Sequence, residues 1–259
     1  MKRFAGKTAI VTGSSKGIGR AIAIRFAQEG ANVVLCARSA DALAQAVAEI
    51  EANGGSAAAI PLDLREPHNP AALARFAVDR FGAIDIVVNN AGATRRGEFE
   101  ALTDEDWADG FALKFFGAVR LTRAAWPHLK RSSGSLLFIS GIGGRTPGAQ
   151  FTIGGSVNAA MLSFTKAMAE AGLRDRVQVN AISPGTVRTA RFQKRLEAFA
   201  AERKIDVSQA EQRYVEEESI TRIGEPEEIA ALAAFIAGPE GRFLHGSLID
   251  IDGGSTKTI

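Results

Sequence analysis

The 259-residue chain reads as an α/β protein, a doubly wound parallel sheet of about seven strands with helices on both faces. Three observations predict this. Short, almost wholly apolar runs recur along the chain, as expected of strands buried on both faces. Stretches with the helical spacing of apolar residues separate them. The first run leads straight into a glycine-rich turn and another helical stretch.

Residues 7–12 (KTAIVT) form the first predicted strand, and Ile18, Ile22 and Phe26, four apart, give the next helix an apolar stripe. The second strand is 32–36 (NVVLC), and Leu43, Val47 and Ile50 mark the helix after it. Further strands are predicted at 57–60, 84–88 (IDIVV), 135–140 (SLLFIS), 177–182 (VQVNAI) and 247–251 (SLIDI). No repeat or low-complexity linker interrupts the pattern, so residues 1–259 are read as a single domain. One stretch breaks the rhythm. After Thr189 come charged helical segments, RFQKRLEAFAAERKI and SQAEQRYVEEES, with no strand before Gly224. A long connection after a late strand lies at the ligand-binding end of such a sheet. Residues 189–222 are therefore read as a helical lid, or else as a solvated helix pair.

Composition narrows the function. Hydrophobic residues make up 46% and charged residues 23%, ordinary for a globular protein. With 31 Lys and Arg against 29 Asp and Glu the net charge is +2, which offers no footprint for nucleic acid. The single Cys36 excludes a disulfide framework or multi-cysteine metal site and reads as a small buried hydrophobe. His68, His128 and His245 form no constellation, so no metal site is expected. The N-terminus MKRFAGKTAIVTG lacks a signal-peptide core, and no apolar run is long enough to span a membrane. A cytoplasmic protein is expected.

The turn after the first strand is Thr12-Gly13-Ser14-Ser15-Lys16-Gly17-Ile18-Gly19. Glycines there let the backbone approach a pyrophosphate, and the following helix offers free N–H groups and a positive dipole end. Tight strand–helix packing is the alternative use of such glycines.

The spacing Gly-x-x-x-Gly-x-Gly resembles the short-chain dehydrogenase/reductase family, and the resemblance covers essentially the full chain. Asn89-Asn90-Ala91-Gly92, Pro184-Gly185-Thr186-Val187-Arg188-Thr189, Glu225-Pro226-Glu227-Glu228-Ile229-Ala230 and Asp252-Gly253-Gly254 match the family's motifs in order. The resemblance implies a Rossmann-type dinucleotide-binding fold and an oxidoreductase acting on a small carbonyl or alcohol compound. It assigns the cofactor to Gly13, Ser15, Lys16, Gly17, Ile18, Gly19, Arg38, Asp63, Asn89, Ala91, Gly92, Pro184, Gly185 and Thr189. NAD-preferring relatives carry an acid where this chain has Ala37. Arg38 and Lys16 instead suit a 2′-phosphate, so NADP(H) is expected, with NAD(H) as the alternative.

The family's proton chemistry uses Ser, Tyr and Lys, with a helix Asn behind them. Aligned on Asn158-Ala159-Ala160-Met161 and Phe164-Thr165-Lys166, the chain has Asn158 at the lysine position, Gly154 at the tyrosine, Gly141 at the serine and Lys114 at the helix asparagine. The sole tyrosine, Tyr214, lies in the predicted lid, so no shift restores Tyr-x-x-x-Lys. Ser140 adjoins the serine position, but strand alternation points it to the other side. Gly141, Gly143, Gly144, Gly148, Gly154 and Gly155 are expected to open room beside the nicotinamide. Lys114 and Asn158, an exchange of the family's Asn and Lys, form the candidate catalytic pair. Lys114 falls on a stripe with Trp107, Phe111, Ala118, Leu121 and Ala125, so its ammonium either enters the site or snorkels to solvent. Arg95, Arg96, Arg145, Arg188 and Arg191 rim the pocket, for an anionic substrate or for cofactor phosphates and surface. Two functions follow: an NADP(H)-linked oxidoreductase with a rebuilt proton relay, or a non-catalytic NADP(H)-binding sensor or structural partner. The family's helices near 105–125 and 155–170 pair across a two-fold axis. Here they carry Trp107, Phe111, Phe115, Phe116, Met161, Phe164 and Met168, so a homodimer or homotetramer is expected.

Overall fold

A computed structural model describes residues 2–258. The strands are β1 (Thr8–Thr12), β2 (Asn32–Ala37), β3 (Ser56–Pro61), β4 (Ile86–Asn89), β5 (Ser135–Ile139), β6 (Gln178–Pro184) and β7 (Leu248–Ile251). The helices are α1 (Gly17–Gln28), α2 (Ala40–Ala52), α3 (Asn69–Phe81), α4 (Asp104–Phe111), α5 (Gly117–Ser132), α6 (Thr152–Asp175), α7 (Ala190–Arg203), α8 (Val207–Glu217) and α9 (Pro226–Ala237). The strands form one seven-stranded parallel sheet in the order β3-β2-β1-β4-β5-β6-β7.

Alternate residues of each strand feed two cores. Ala9, Val11, Val33, Leu35, Val88 and Leu137 face α1, α2 and α9. Ile10, Val34, Cys36, Val87, Leu136 and Phe138 face α3, α5 and α6. Burial on both faces is why the strands read as apolar runs instead of alternating ones. β4 starts two residues later than predicted; just before it the Asp85 carboxylate accepts from the Thr8 N–H and the Lys7 ammonium, each at 2.9 Å.

The order reverses between β1 and β4, which opens a crevice at the strand ends where such sheets bind ligands. The turn after β1 and the loops after β4, β5 and β6 meet there. The predicted lid segment holds α7 and α8, joined around a small core of Phe192, Leu196, Ala200, Ala210, Tyr214, Ile220 and Ile223. Tyr214 is 2% exposed, lies 5.5 and 5.3 Å from the rings of Phe192 and Phe199, and shares a 3.2 Å hydrogen bond with Thr186. The only tyrosine is thus structural. Among the described residues no helix is long and apolar enough to cross a membrane.

Candidate active site

The glycine turn is built for close approach. Gly13 and Gly17 have φ of +64° and +56°, and a Cβ on Gly13 would sit 2.9 Å from the Ala91 backbone. Ser14 donates to the Val11 carbonyl at 2.8 Å and accepts the Cys36 N–H at 3.0 Å, tying the turn to β1 and β2. The Thr12 hydroxyl accepts the N–H groups of Asn90 and Ala91 at 2.9 Å, and the Asn90 amide donates back to the Thr12 carbonyl at 2.8 Å. The Asn89 side chain turns into the core, 3.4 Å from Thr122 Oγ1. Ile18 packs on the sheet, and Ser15 is half-buried at the turn's rim.

Helix α1 starts with no side-chain cap and no acidic residue in its first turn, so its orphan N–H groups and positive end stay available. Thr189 faces them: a Cβ on Gly17 would lie 3.2 Å from its methyl group. The bare backbone, the free helix end and the absence of a competing carboxylate fit a pyrophosphate. Arg38 is 71% exposed on its side chain, and its ion pair is a long one, 3.9 Å to Asp63, which Arg65 also holds at 3.3 Å. Lys16 is exposed beside the turn. Both cations can meet a 2′-phosphate. Pro184 ends β6 opposite Ile251, and Gly185 admits the Asp252 backbone, 2.7 Å from where a Cβ would stand.

Between α4 and α5 the chain makes a π-helical turn over Ala112–Phe116, centred on Lys114. Such turns break the 3.6-residue stripe and recur at functional sites. Lys114 is half-buried, and its Nζ donates to the Ser140 carbonyl at 2.7 Å and to Asn158 Oδ1 at 2.5 Å. Asn158 is 3% exposed. Its Nδ2 lies where a side chain on Gly141 would come within 2.9 Å, and Gly141 has φ +153°. The Ser140 hydroxyl points away, donating to the Asn158 carbonyl at 3.1 Å. Burial, reinforced by the charge of Arg191, lowers the Lys114 pKa from 10.5 to about 7.

The glycines open room unevenly: Gly143, Gly144, Gly148 and Gly155 line a cleft of about 510 Å³ with Phe99 and Trp107, but the space at Gly154 is filled. A Cβ on Gly154 would overlap the Phe151 ring, and one on Gly143 would lie 2.9 Å from it. Phe151 therefore occupies the space left bare at Gly154. The Arg96 guanidinium stacks 3.9 Å from the centre of that ring. Of the predicted cations, Arg188 is held by Glu211 at 2.7 Å and Glu225 at 2.8 Å, which raise its pKa. Arg95 pairs with Asp106 at 2.9 Å and Arg145 with Asp250 at 3.6 Å. Arg191 donates to the Gly92 carbonyl at 2.8 Å, bridging α7 to the loop after β4. Phe151, Arg195 and the π turn escaped the sequence reading. A phenylalanine next to a run of glycines was the one available signal.

This fold and crevice define a nucleotide-dependent oxidoreductase class. The chain belongs to the short chain dehydrogenase family, whose pattern it matches over residues 7–199. It is 38% identical over 260 residues to an uncharacterized oxidoreductase of Mycobacterium tuberculosis, covering 99% of this chain and 94% of that one. Its structure matches L-sorbose reductase from Gluconobacter frateurii, complexed with NADPH and L-sorbose, with a TM-score of 0.95 and 32% identity over 100% of both chains. It also matches a short chain oxidoreductase from Pseudomonas aeruginosa containing an atypical catalytic center, with a TM-score of 0.91 and 29% identity over 99% of both chains.

Proposed function

We propose that the protein is an NADP(H)-dependent oxidoreductase of a small carbonyl or alcohol compound, in which Lys114, positioned by Asn158, carries the proton. The observation behind this reading is the Lys114 amine, half-buried between the ends of β5 and α6 and bonded to Ser140 and Asn158. The glycine turn, Arg38 and Thr189 would hold a nicotinamide nucleotide, which would supply or accept the hydride. A protonated lysine has three N–H donors, and Ser140 and Asn158 take two. The third is left for a substrate oxygen. The neutral amine can instead take the proton of a hydroxyl. With a pKa of about 7 both forms coexist near neutrality, the condition general acid–base catalysis needs. Asn158 orients the amine without a charge, so it lacks the pull of a carboxylate on that pKa. The NADPH complex of the sorbose reductase supports the cofactor half of the reading.

The protein is expected to bind NADPH more tightly than NADH by about tenfold or more, because a lost charge-assisted contact costs ~1.5–3 kcal/mol. Arg38→Asp should erase or invert the preference. Calorimetry with both nucleotides checks this, and equal affinities in the unaltered protein reject the assignment. NADPH oxidation against a broad carbonyl panel tests turnover. Tight binding with no turnover on any member would leave only a binding role.

A two-fold assembly is the other expectation. Met161 is 1% exposed, and Phe115 and Phe164 stack at 5.9 Å against the core, so these residues serve the fold itself. Phe116 remains 46% exposed on the π turn, with Trp107 and Phe111 half-buried nearby in sequence. Light scattering at micromolar concentration should give a dimer or tetramer. A monomer would reject the expectation.

A further inference from the structure

Three guanidinium groups, of Arg96, Arg191 and Arg195, gather between the loop after β4 and α7, with Arg191 beside Lys114 and, among the described residues, no carboxylate within ion-pair distance of any of them. Arg96, in the loop after β4, lies over Phe151, above the space left bare at Gly154. Arg191 and Arg195 are four residues apart on α7 and so share one face of it. Arg191 reaches the Gly92 carbonyl at 2.8 Å. Arg195 donates to Thr186 Oγ1 at 3.1 Å and lies 4.7 Å from the centre of the Tyr214 ring. Among the described residues none of the three has a carboxylate within ion-pair distance, whereas Arg95, Arg145 and Arg188 nearby all do.

The three charges sense one another. Burial and then the charge of Arg191 lower the Arg96 pKa, and burial and then Arg96 lower that of Arg195. Glu218 opposes both shifts, from beyond ion-pair distance. Like charges gathered without a contacting counter-charge work against folding, and the arrangement focuses a positive field into the cleft. A guanidinium has five donors, and the bonds named here occupy one each on Arg191 and Arg195. The remaining donors suit a planar or tetrahedral oxyanion. The glycine turn with Thr189 and the pair Arg38 and Lys16 would take the cofactor's own phosphates, which leaves these three arginines for another anion.

The geometry points to a substrate that carries an oxyanion, a carboxylate or a phosphate, gripped by Arg96, Arg191 and Arg195 while its carbonyl meets Lys114; this rests on the oxidoreductase reading above. The anion anchors the end of the molecule remote from the reacting carbonyl. Phe151, under Arg96, holds that guanidinium away from bulk solvent on one face.

Probes that differ only in the anion test this. One pair is 4-oxopentanoate and its methyl ester. The other is dihydroxyacetone phosphate and dihydroxyacetone. Each is titrated calorimetrically into the full-length protein, with and without saturating NADPH. In at least one pair the anionic member should bind about tenfold or more tightly than its neutral partner. The pair that discriminates separates carboxylate from phosphate. Arg96→Gln and Arg191→Gln should each remove about tenfold of that preference, and raised salt should weaken it. NADPH affinity should stay unchanged in both variants. No discrimination in either pair, or a preference that survives both substitutions, overturns the proposal. So does competition between the anion and NADPH, which would assign the arginines to the cofactor. Failure of NADPH to bind would instead sink the cofactor reading, and the anion titration without nucleotide still reports on the arginines.

Discussion

Replacing Lys114 with methionine should lower carbonyl reduction by about 10²–10⁴-fold, the usual contribution of a positioned acid–base group. Reduction needs the protonated amine, so its rate should fall as pH rises through about 7, and alcohol oxidation should rise over the same range. The Lys114→Met variant should lack that limb. In Asn158→Asp a carboxylate would replace the amide 2.5 Å from Nζ, raising the lysine pKa and moving the limb to higher pH. A reduction profile in the unaltered protein that stays flat from pH 6 to 9 would remove Lys114 from the chemistry.

The same lysine leaves a signature in stability. Its folded pKa is about 7, against 10.5 for the ordinary group, so between these values the unfolded chain binds more protons. Stability therefore rises with pH across that window. The penalty is full below about 7 and disappears as pH passes 10.5. The drop corresponds to ~5 kcal/mol, which contact with solvent reduces to ~2–3 kcal/mol. Lys114→Met removes this penalty but strands the Ser140 carbonyl and the Asn158 amide, at a cost of ~1–3 kcal/mol. The net change near neutrality is small, so the lost pH slope is the quantity to measure, from urea midpoints at pH 6 and 9.

Restoring a tyrosine at Gly154 should destabilise the protein by ~1–3 kcal/mol or more, because the Phe151 ring already fills that space. Combining Gly154→Tyr with Phe151→Ala should return most of the loss. A double-mutant cycle should show a coupling of ~1 kcal/mol or more between the two positions. If Gly154→Tyr alone is as stable as the unaltered protein, the ring is not the filler that the structure depicts. Asn158→Lys, the other half of the family's pair, would bring a second ammonium against Lys114, so Tyr-x-x-x-Lys is not rebuilt by two exchanges alone.

The fold and the cofactor crevice were largely written in local patterns. All seven strands lie within about two residues of their apolar runs, since burial on both sheet faces leaves a continuous mark in the sequence. Gly13, Gly17 and Gly19 announced the turn because only glycine tolerates its dihedral angles and close contacts. The exchange of Lys114 and Asn158 was visible from spacing as well. Tertiary structure alone decided what these residues meet. The 2.5 Å contact joins positions 44 residues apart, and the π turn that aims Lys114 interrupts the periodicity by which its direction would be read. Phe151 filling the space at Gly154 depends on how a short helical turn seats against α6. The arginines divide the same way. Arg188 finds Glu211 and Glu225, while Arg96, Arg191 and Arg195 find no acid within ion-pair distance among the described residues. A sequence lists charges, but whether one is neutralised depends on distances between segments that only the folded chain brings together.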